Sequence, residues 1–184
     1  MKTINYVVIG IVCLTLSAVG EELRFQGELG KSAELAVSRF FNPPLNSLAW
    51  LRADLTNENT DVQRRFKNYN GDVSGRYLEL MAFISRGNKE FHPALKQFLN
   101  EIPSRQQKDG HFGYDEVDWT KPIDANGDKG RMLPLLWGNA RFLCGLTKAY
   151  EVFRDPALLD CAKKLGDYYV LTADRFLDAN QLHI

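Results

Sequence analysis

Residues 132–169 read MLPLLWGNARFLCGLTKAYEVFRDPALLDCAKKLGDYY and carry the clearest structural signal in the chain. The part up to Phe153 is apolar on nearly every side of a helix, which predicts a helix with neighbours on most sides. Asp155-Pro156 is typical of the N-cap and first turn of a new helix. That helix has one apolar stripe and an opposite, charged face of Asp160, Lys163, Lys164 and Asp167. A buried helix followed by an amphipathic one predicts a hairpin with an inner and an outer member.

A second hairpin is predicted over residues 72–107. Asp72 is suited to an N-cap position. Five apolar residues after it share one helical face: Val73, Tyr77, Leu80, Met81 and Ile84. The next helix is expected to start at His92-Pro93 and to be ended or kinked by Pro103. Sustained period-two alternation, the mark of strands, is absent, so the sequence predicts an all-α fold built from helical hairpins.

The alternation of buried and half-exposed helices has two interpretations. In an α/α-toroid, inner helices touch neighbours on all sides, whereas outer helices keep one face in water. A plain helical bundle contains similar αα-hairpins and stays open as the alternative. Shorter helices are predicted ahead of these hairpins, at 32–41, as helix or extended chain at 45–52, and in a brief segment ending at Tyr69.

The two hairpins are joined by a polar connection, residues 106–131, that contains four glycines. Connections of this length without secondary structure are uncommon and are often functional. Residues 124–130 superficially resemble a calcium loop, but Lys129 and Leu135 stand where an EF-hand has glycine and glutamate. We therefore expect a polar turn there and no metal site.

The first twenty residues have the pattern of a secretory signal peptide. Lys2 supplies a positive end, residues 6–16 are almost continuously apolar, and small residues follow up to Gly20. We expect cleavage after Gly20, a mature domain of residues 21–184, and a secreted or periplasmic location. An N-terminal membrane anchor is the alternative, but the apolar run is short for a bilayer. No stable membrane anchor is expected after cleavage.

Composition excludes some classes of partner and constrains the cysteines. The chain has 23 basic and 23 acidic residues, so its formal charge is zero, which argues against a nucleic-acid partner. Two cysteines, Cys144 and Cys161, remain after signal cleavage. Export permits a disulfide between them, although two buried free thiols is the interpretation that we favour. Two cysteines alone do not make a zinc site.

Three segments resemble one enzyme family. Residues 71–79, GDVSGRYLE, are similar to the start of an inner helix in the β-L-arabinofuranosidase-like enzymes, glycoside hydrolase family 127 and relatives. Residues 106–113, QQKDGHFG, resemble the loop after the paired helix, and residues 136–169 resemble the next hairpin. The resemblance as a whole extends over roughly residues 45–175. The resemblance implies that the chain is the N-terminal part of an (α/α)6 toroid, of which it holds two to three hairpins.

The family's activity then becomes the expected function. The resemblance implies an exported glycoside hydrolase acting on arabinofuranosyl-type or related plant-type glycans. The family's catalytic glutamate and its zinc-bound cysteine nucleophile match no residue of this sequence, so the catalytic residues are unknown and no cofactor is identifiable in this chain. A histidine that many members carry is replaced by Leu135 or a neighbour. The chain alone is expected to lack hydrolase activity.

Other functions remain open as alternatives. One is a different α/α-toroid enzyme, such as an unsaturated-uronyl hydrolase or a polysaccharide lyase. Another is a non-catalytic helical module that binds carbohydrate.

Five residues are the candidates for substrate binding: His111, Asp72, Arg76, Trp137 and Asn139. His111 follows an Asp-Gly turn, and a loop histidine has little packing reason to be there. The other four lie near the starts of the inner helices, where their side chains could contact sugar rings and hydroxyls. The alternative for Asp72 and Arg76 is a helix cap and an inter-helix ion pair, and for Trp137 it is a position in the core.

Overall fold

A computed structural model describes residues 26–42, 47–56, 70–86, 93–113 and 132–175. These residues form six α-helices: α1 (Gly27–Phe41), α2 (Leu48–Leu55), α3 (Asp72–Ser85), α4 (Pro93–Arg105), α5 (Met132–Phe153) and α6 (Pro156–Thr172). A single 3-10 turn, Ala173–Arg175, follows α6. Within the described ranges, extended backbone pairs only at one parallel bridge, between Thr56 and Gly113. The all-α class is therefore confirmed.

Some expectations lie outside the described residues. These are the signal segment 1–20, the predicted helix ending at Tyr69 and the calcium-like segment 124–130. None of the helices that the structure describes is long and apolar enough to cross a membrane. The chain divides into two compact units, residues 1–36 and 37–184. Helices α2 to α6 belong wholly to the second unit, and the rest of the structural description concerns that unit.

The chain alternates between two layers of helices. Helices α3 and α5 form one layer and make the most extensive helix–helix contact, while α4 contacts α2 and α6 in the other layer. The layers are joined where α2 meets α3 and where α5 meets α6. Across the layers, the rings of Tyr77 and Phe98 pack edge to face with centroids 6.2 Å apart. Among α2 to α6, each helix therefore has its closest same-layer neighbour two elements away along the chain.

Helices α3 and α5 are parallel and their backbones touch. A Cβ on Gly71 would lie 2.8 Å from the carbonyl oxygen of Gly138, and a Cβ on Gly75 would lie 2.7 Å from the nitrogen of Phe142. A Cβ on Gly145 would lie 2.6 Å from the carbonyl oxygen of Gly75. The residue numbers at these contacts increase together along both helices, so the two helices run in the same direction. The interface therefore depends on glycines, whose lack of a side chain lets the two backbones touch, rather than on packed apolar side chains.

The close contact corrects the predicted apolar face of α3. Of the five residues assigned to that face, Tyr77 and Met81 are buried, but Val73 is 41% exposed. The buried side instead includes four small or apolar residues: Ser74, Gly75, Leu78 and Ala82. Small residues give a weak hydrophobic signal, although they permit the closest packing. The pattern therefore located the face a little over a quarter of a turn away from its real centre.

Helix starts were predicted well where a side chain forms the cap. Asp155 caps α6, because its Oδ1 accepts a 2.9 Å hydrogen bond from the backbone N–H of Ala157, and Pro156 is in the first turn. The start of α3 differs from the expectation. Its N-cap is Gly71, with φ of 93°, and Asp72 is the first helical residue. Pro103, which was predicted to end or kink its helix, does not end it, since α4 continues to Arg105.

A salt bridge ties α4 to α2 and predicts a pH dependence. The Arg52 guanidinium donates hydrogen bonds of 2.6 and 2.5 Å to the two carboxylate oxygens of Glu101. These bonds from Arg52 are the main reason that the pKa of Glu101 falls from 4.5 to about 2. Because the folded-state pKa lies below the unfolded value, the stabilisation is present above pH 4.5 and is lost as pH falls towards 2.

We expect Glu101→Gln to lower the free energy of unfolding by about 1 to 2 kcal/mol at pH 6 and much less at pH 2.5. The range allows for solvent screening, since about a quarter of the Glu101 side chain is exposed. Urea unfolding at both pH values measures the difference. Asp167→Asn, on the exposed side of α6, is the matched control and should show no such dependence. An equal loss at both pH values would contradict the prediction.

Candidate functional site

The solvent side of the α3 and α5 pair carries the exposed members of the candidate set. We call it the α3–α5 face and define it by nine residues: Asp72, Arg76, Glu79 and Phe83 of α3, Arg86 at the C-cap of α3, and Trp137, Arg141, Cys144 and Lys148 of α5. The helical repeat places these residues on the sides of the two helices that point away from the second layer. Of the apolar residues on the face, Phe83 is 69% exposed and Trp137 is 56% exposed.

Trp137 lies at the N-terminal end of this face. It directly precedes Gly138, whose carbonyl oxygen faces Gly71 across the helix contact. In this parallel register, Trp137 precedes the level of Asp72 by about two residues, or roughly 3 Å along the helix axes. The exposure of its indole corrects two expectations, that α5 is apolar and buried nearly all round and that Trp137 occupies a core position. The large aromatic ring of Trp137 is therefore exposed to solvent near the N-terminal end of α5.

Asp72 and Arg76 form an ion pair within α3. The Nε of Arg76 donates a 3.1 Å hydrogen bond to Oδ1 of Asp72, one helical turn earlier. The side chain of Arg76 is 57% exposed, whereas that of Asp72 is 17% exposed. The pair is thus intrahelical and partly solvated, and an i,i+4 pair of this kind contributes only about 0.3 to 0.5 kcal/mol to stability.

Asn139 holds three parts of the chain together and is fully buried. Its Oδ1 accepts a 2.8 Å hydrogen bond from the backbone N–H of Phe112. Its Nδ2 donates to the carbonyl oxygens of Asn70, Phe112 and Leu135, at 3.3, 3.0 and 3.0 Å. The amide therefore connects α5 to the start of α3 and to the loop after α4. All of the hydrogen bonds of this side chain are made to protein backbone groups.

His111 is likewise fully buried. Its Nδ1 lies 2.5 Å from Oδ1 of Asp109, and its ring lies 5.0 Å from the ring of Tyr168 at an angle of 34°. Gly110, with φ of 104°, brings the loop close to the backbone of Lys164 in α6. The structure therefore places His111 between the loop and α6, away from solvent, and its binding role stays a prediction.

Two polar residues that sequence reasoning did not single out organise the start of α3. Asp54 of α2 is 1% exposed, and its Oδ2 accepts a 2.8 Å hydrogen bond from the backbone N–H of Ser74. Asn70 is equally buried and donates to the carbonyl oxygen of Asp54 at 3.1 Å. Asp54 thus serves as a remote cap for α3. The Asn70-Gly71 dipeptide is a turn signal, but nothing in sequence spacing links it to a carboxylate sixteen residues earlier.

Other titratable groups are held in neutral form. Burial raises the pKa of the Tyr77 hydroxyl to about 12 and also raises the pKa values of Tyr168 and of the Cys161 thiol. Cys144 and Cys161, the cysteines that the structure describes, are both free, but only Cys161 is buried, since Cys144 is exposed on α5. Among the residues that the structure describes, no three or more His, Cys, Asp or Glu side chains come together as metal ligands.

Comparison of the chain with models of known protein families, with curated proteins and with solved structures finds no match.

Proposed function

We propose that this chain forms helical hairpins from the N-terminal side of an exported α/α-toroid glycoside hydrolase, and that its α3–α5 face binds glycan. The observation that supports the toroid most directly is the parallel contact of α3 and α5 around Gly75 and Gly145. In a ring of hairpins, each outer helix returns the chain, so successive inner helices run in the same direction and pack on one another. The contact of α4 with α6 in the other layer follows the same rule.

Uncovered apolar surface favours a ring segment over a self-contained binding module. Two adjacent residues of α6, Val170 and Leu171, are both at least 75% exposed. Apolar side chains concentrated on helix sides are typical of surfaces that pack against further structure. On this proposal, further hairpins of the toroid cover these helix sides.

Glycan binding is proposed for the end of the face at Trp137. Sugar rings stack on aromatic rings, because their C–H groups are apolar, while their hydroxyls bond to nearby polar groups. Trp137 offers the stacking surface, and Asp72 and Arg76 offer a carboxylate and a guanidinium near the same end of α3. The resemblance of segments 71–79 and 106–113 supports arabinofuranosyl-type or related plant-type glycans as the substrate. On this proposal, the catalytic glutamate and the zinc-bound cysteine belong to parts of the toroid other than this chain.

The proposal is tested by calorimetric titration of the full chain with neutral arabino-oligosaccharides. We expect measurable binding that Trp137→Ala weakens about tenfold, since an exposed indole contributes on the order of 1 to 1.5 kcal/mol when a ring stacks on it. Trp50→Ala, which removes a partly exposed tryptophan from α2, should leave the affinity unchanged. An affinity that Trp137→Ala does not weaken, or no binding to any neutral or acidic glycan, would contradict the proposal.

A further inference from the structure

A stripe of four residues runs along α5 on the α3–α5 face. Trp137, Arg141, Cys144 and Lys148 follow each other at spacings of four, three and four residues, which keeps them on one side of the helix. Trp137 and Arg141 are about 6 Å apart along the helix axis, roughly the length of one sugar unit. The aromatic platform is thus followed, one turn later, by a guanidinium.

Arg141 differs from the other cations of the face in having no acidic partner within the described residues. Arg76 pairs with Asp72 at 3.1 Å, while Arg86 and Lys148 share Glu151 at 3.7 and 2.9 Å. With Arg141, the face has four cations. The carboxylates on or beside it are Asp72, Glu151 and Glu79, and Glu79 of α3 forms no ion pair with a described residue. The face therefore carries a net positive charge, and its excess lies beside the stacking surface of Trp137.

The backbone of Arg141 is fixed in place. Its carbonyl group packs directly against Gly75 of α3, and a Cβ at that glycine would lie 2.5 Å from the carbonyl carbon of Arg141. The side chain is partly exposed and starts from the helix pair's point of closest contact. The position from which the guanidinium extends is therefore fixed relative to α3, and its planar donors suit a bidentate anion.

We infer that the α3–α5 face takes an anionic glycan, in which a unit carrying a carboxylate or a sulfate lies next to the unit stacked on Trp137. The anionic group binds Arg141, and Lys148 two turns further along α5 adds attraction at longer range. The inference rests on the proposed glycan-binding function and specifies the class of ligand. The shared chemistry is an oxyanion on a sugar ring, and uronic acids and sulfated sugars are its two sources.

The experiment is calorimetric titration of the full chain with three oligosaccharides of equal length at low salt. The probes are an oligogalacturonide, the same oligosaccharide with its carboxyl groups reduced to alcohols, and a sulfated counterpart. We expect the preferred anionic probe to bind about 10-fold more tightly than the reduced one. Arg141→Gln should remove that preference, because the anionic probe loses its bidentate partner. The probe that binds more tightly identifies the source of the anion.

Control variants separate a specific contact from general charge. Lys163→Gln removes the same charge from the exposed side of α6 and should preserve the preference. Arg141→Lys should keep part of it, because an ammonium retains the charge without the bidentate fork. Equal binding of all three probes, or a preference that persists in Arg141→Gln, overturns the inference but leaves the proposed function standing. If no glycan binds in a Trp137-dependent way, both proposals fall together.

Discussion

Replacing Gly75 by alanine is expected to lower the free energy of unfolding by about 2 to 3 kcal/mol. The new Cβ would lie 2.5 and 2.7 Å from backbone atoms of Arg141 and Phe142, and no rotamer change can move a backbone. Helices α3 and α5 must separate to admit the methyl group, which opens the packing around them. The higher helix propensity of alanine, worth about 1 kcal/mol, offsets only part of this cost.

Gly166→Ala is the matched control, because this glycine also lies within a helix but has nothing within 4 Å of its would-be Cβ. It should be neutral or stabilising by up to about 1 kcal/mol. Gly145→Ala, on the opposite side of the contact, should resemble Gly75→Ala. Urea unfolding followed by circular dichroism measures all three variants. If Gly75→Ala unfolds at the same denaturant concentration as Gly166→Ala, the backbone contact between α3 and α5 is wrong.

The elements of this fold were predictable where the signal is local. Helix α5 has the predicted limits, and α6 begins where Asp155 and Pro156 indicate. These features depend on caps and on apolar periodicity, both of which act within a few residues. The charged side of α6 is also exposed as predicted. Which helix packs against which was less accessible, because the contact of α3 with α5 depends on glycines about seventy residues apart.

The candidate site shows the same division between local and distant information. The sequence singled out Asn139 and His111 as candidates for substrate binding. It could not show that both are fully buried, because their surroundings come from loops distant in sequence. Trp137 presents the reverse case, since its apolar flanks suggested a core position and the structure leaves it exposed. A polar residue that satisfies distant backbone groups and one that meets a ligand have the same appearance in a sequence.

Asn139→Leu should cost about 3 to 5 kcal/mol of unfolding free energy, the largest loss that we expect from a side chain of this protein. Leucine has the same number and branching of side-chain heavy atoms as asparagine, but it neither donates nor accepts hydrogen bonds. The backbone N–H of Phe112 loses its acceptor, and the carbonyl oxygens of Asn70 and Phe112 lose a donor, in a region closed to water. Each buried polar group left without a partner costs about 1 to 3 kcal/mol, and the costs are not additive.

Asn139→Asp distinguishes lost hydrogen bonds from lost shape. Aspartate keeps the volume and can still accept from Phe112, but at neutral pH it points a negative charge at three carbonyl oxygens. Burial and these oxygens favour the protonated acid, so stability should fall as pH rises and partly return near pH 4. Asn100→Asp, at an exposed position of α4, should change stability by less than about 0.5 kcal/mol at either pH. Urea unfolding of both variants at pH 4 and 7 measures the contrast. If Asn139→Asp has the same unfolding free energy as the unsubstituted protein at both pH values, the Asn139 amide does not hold the loops to α5.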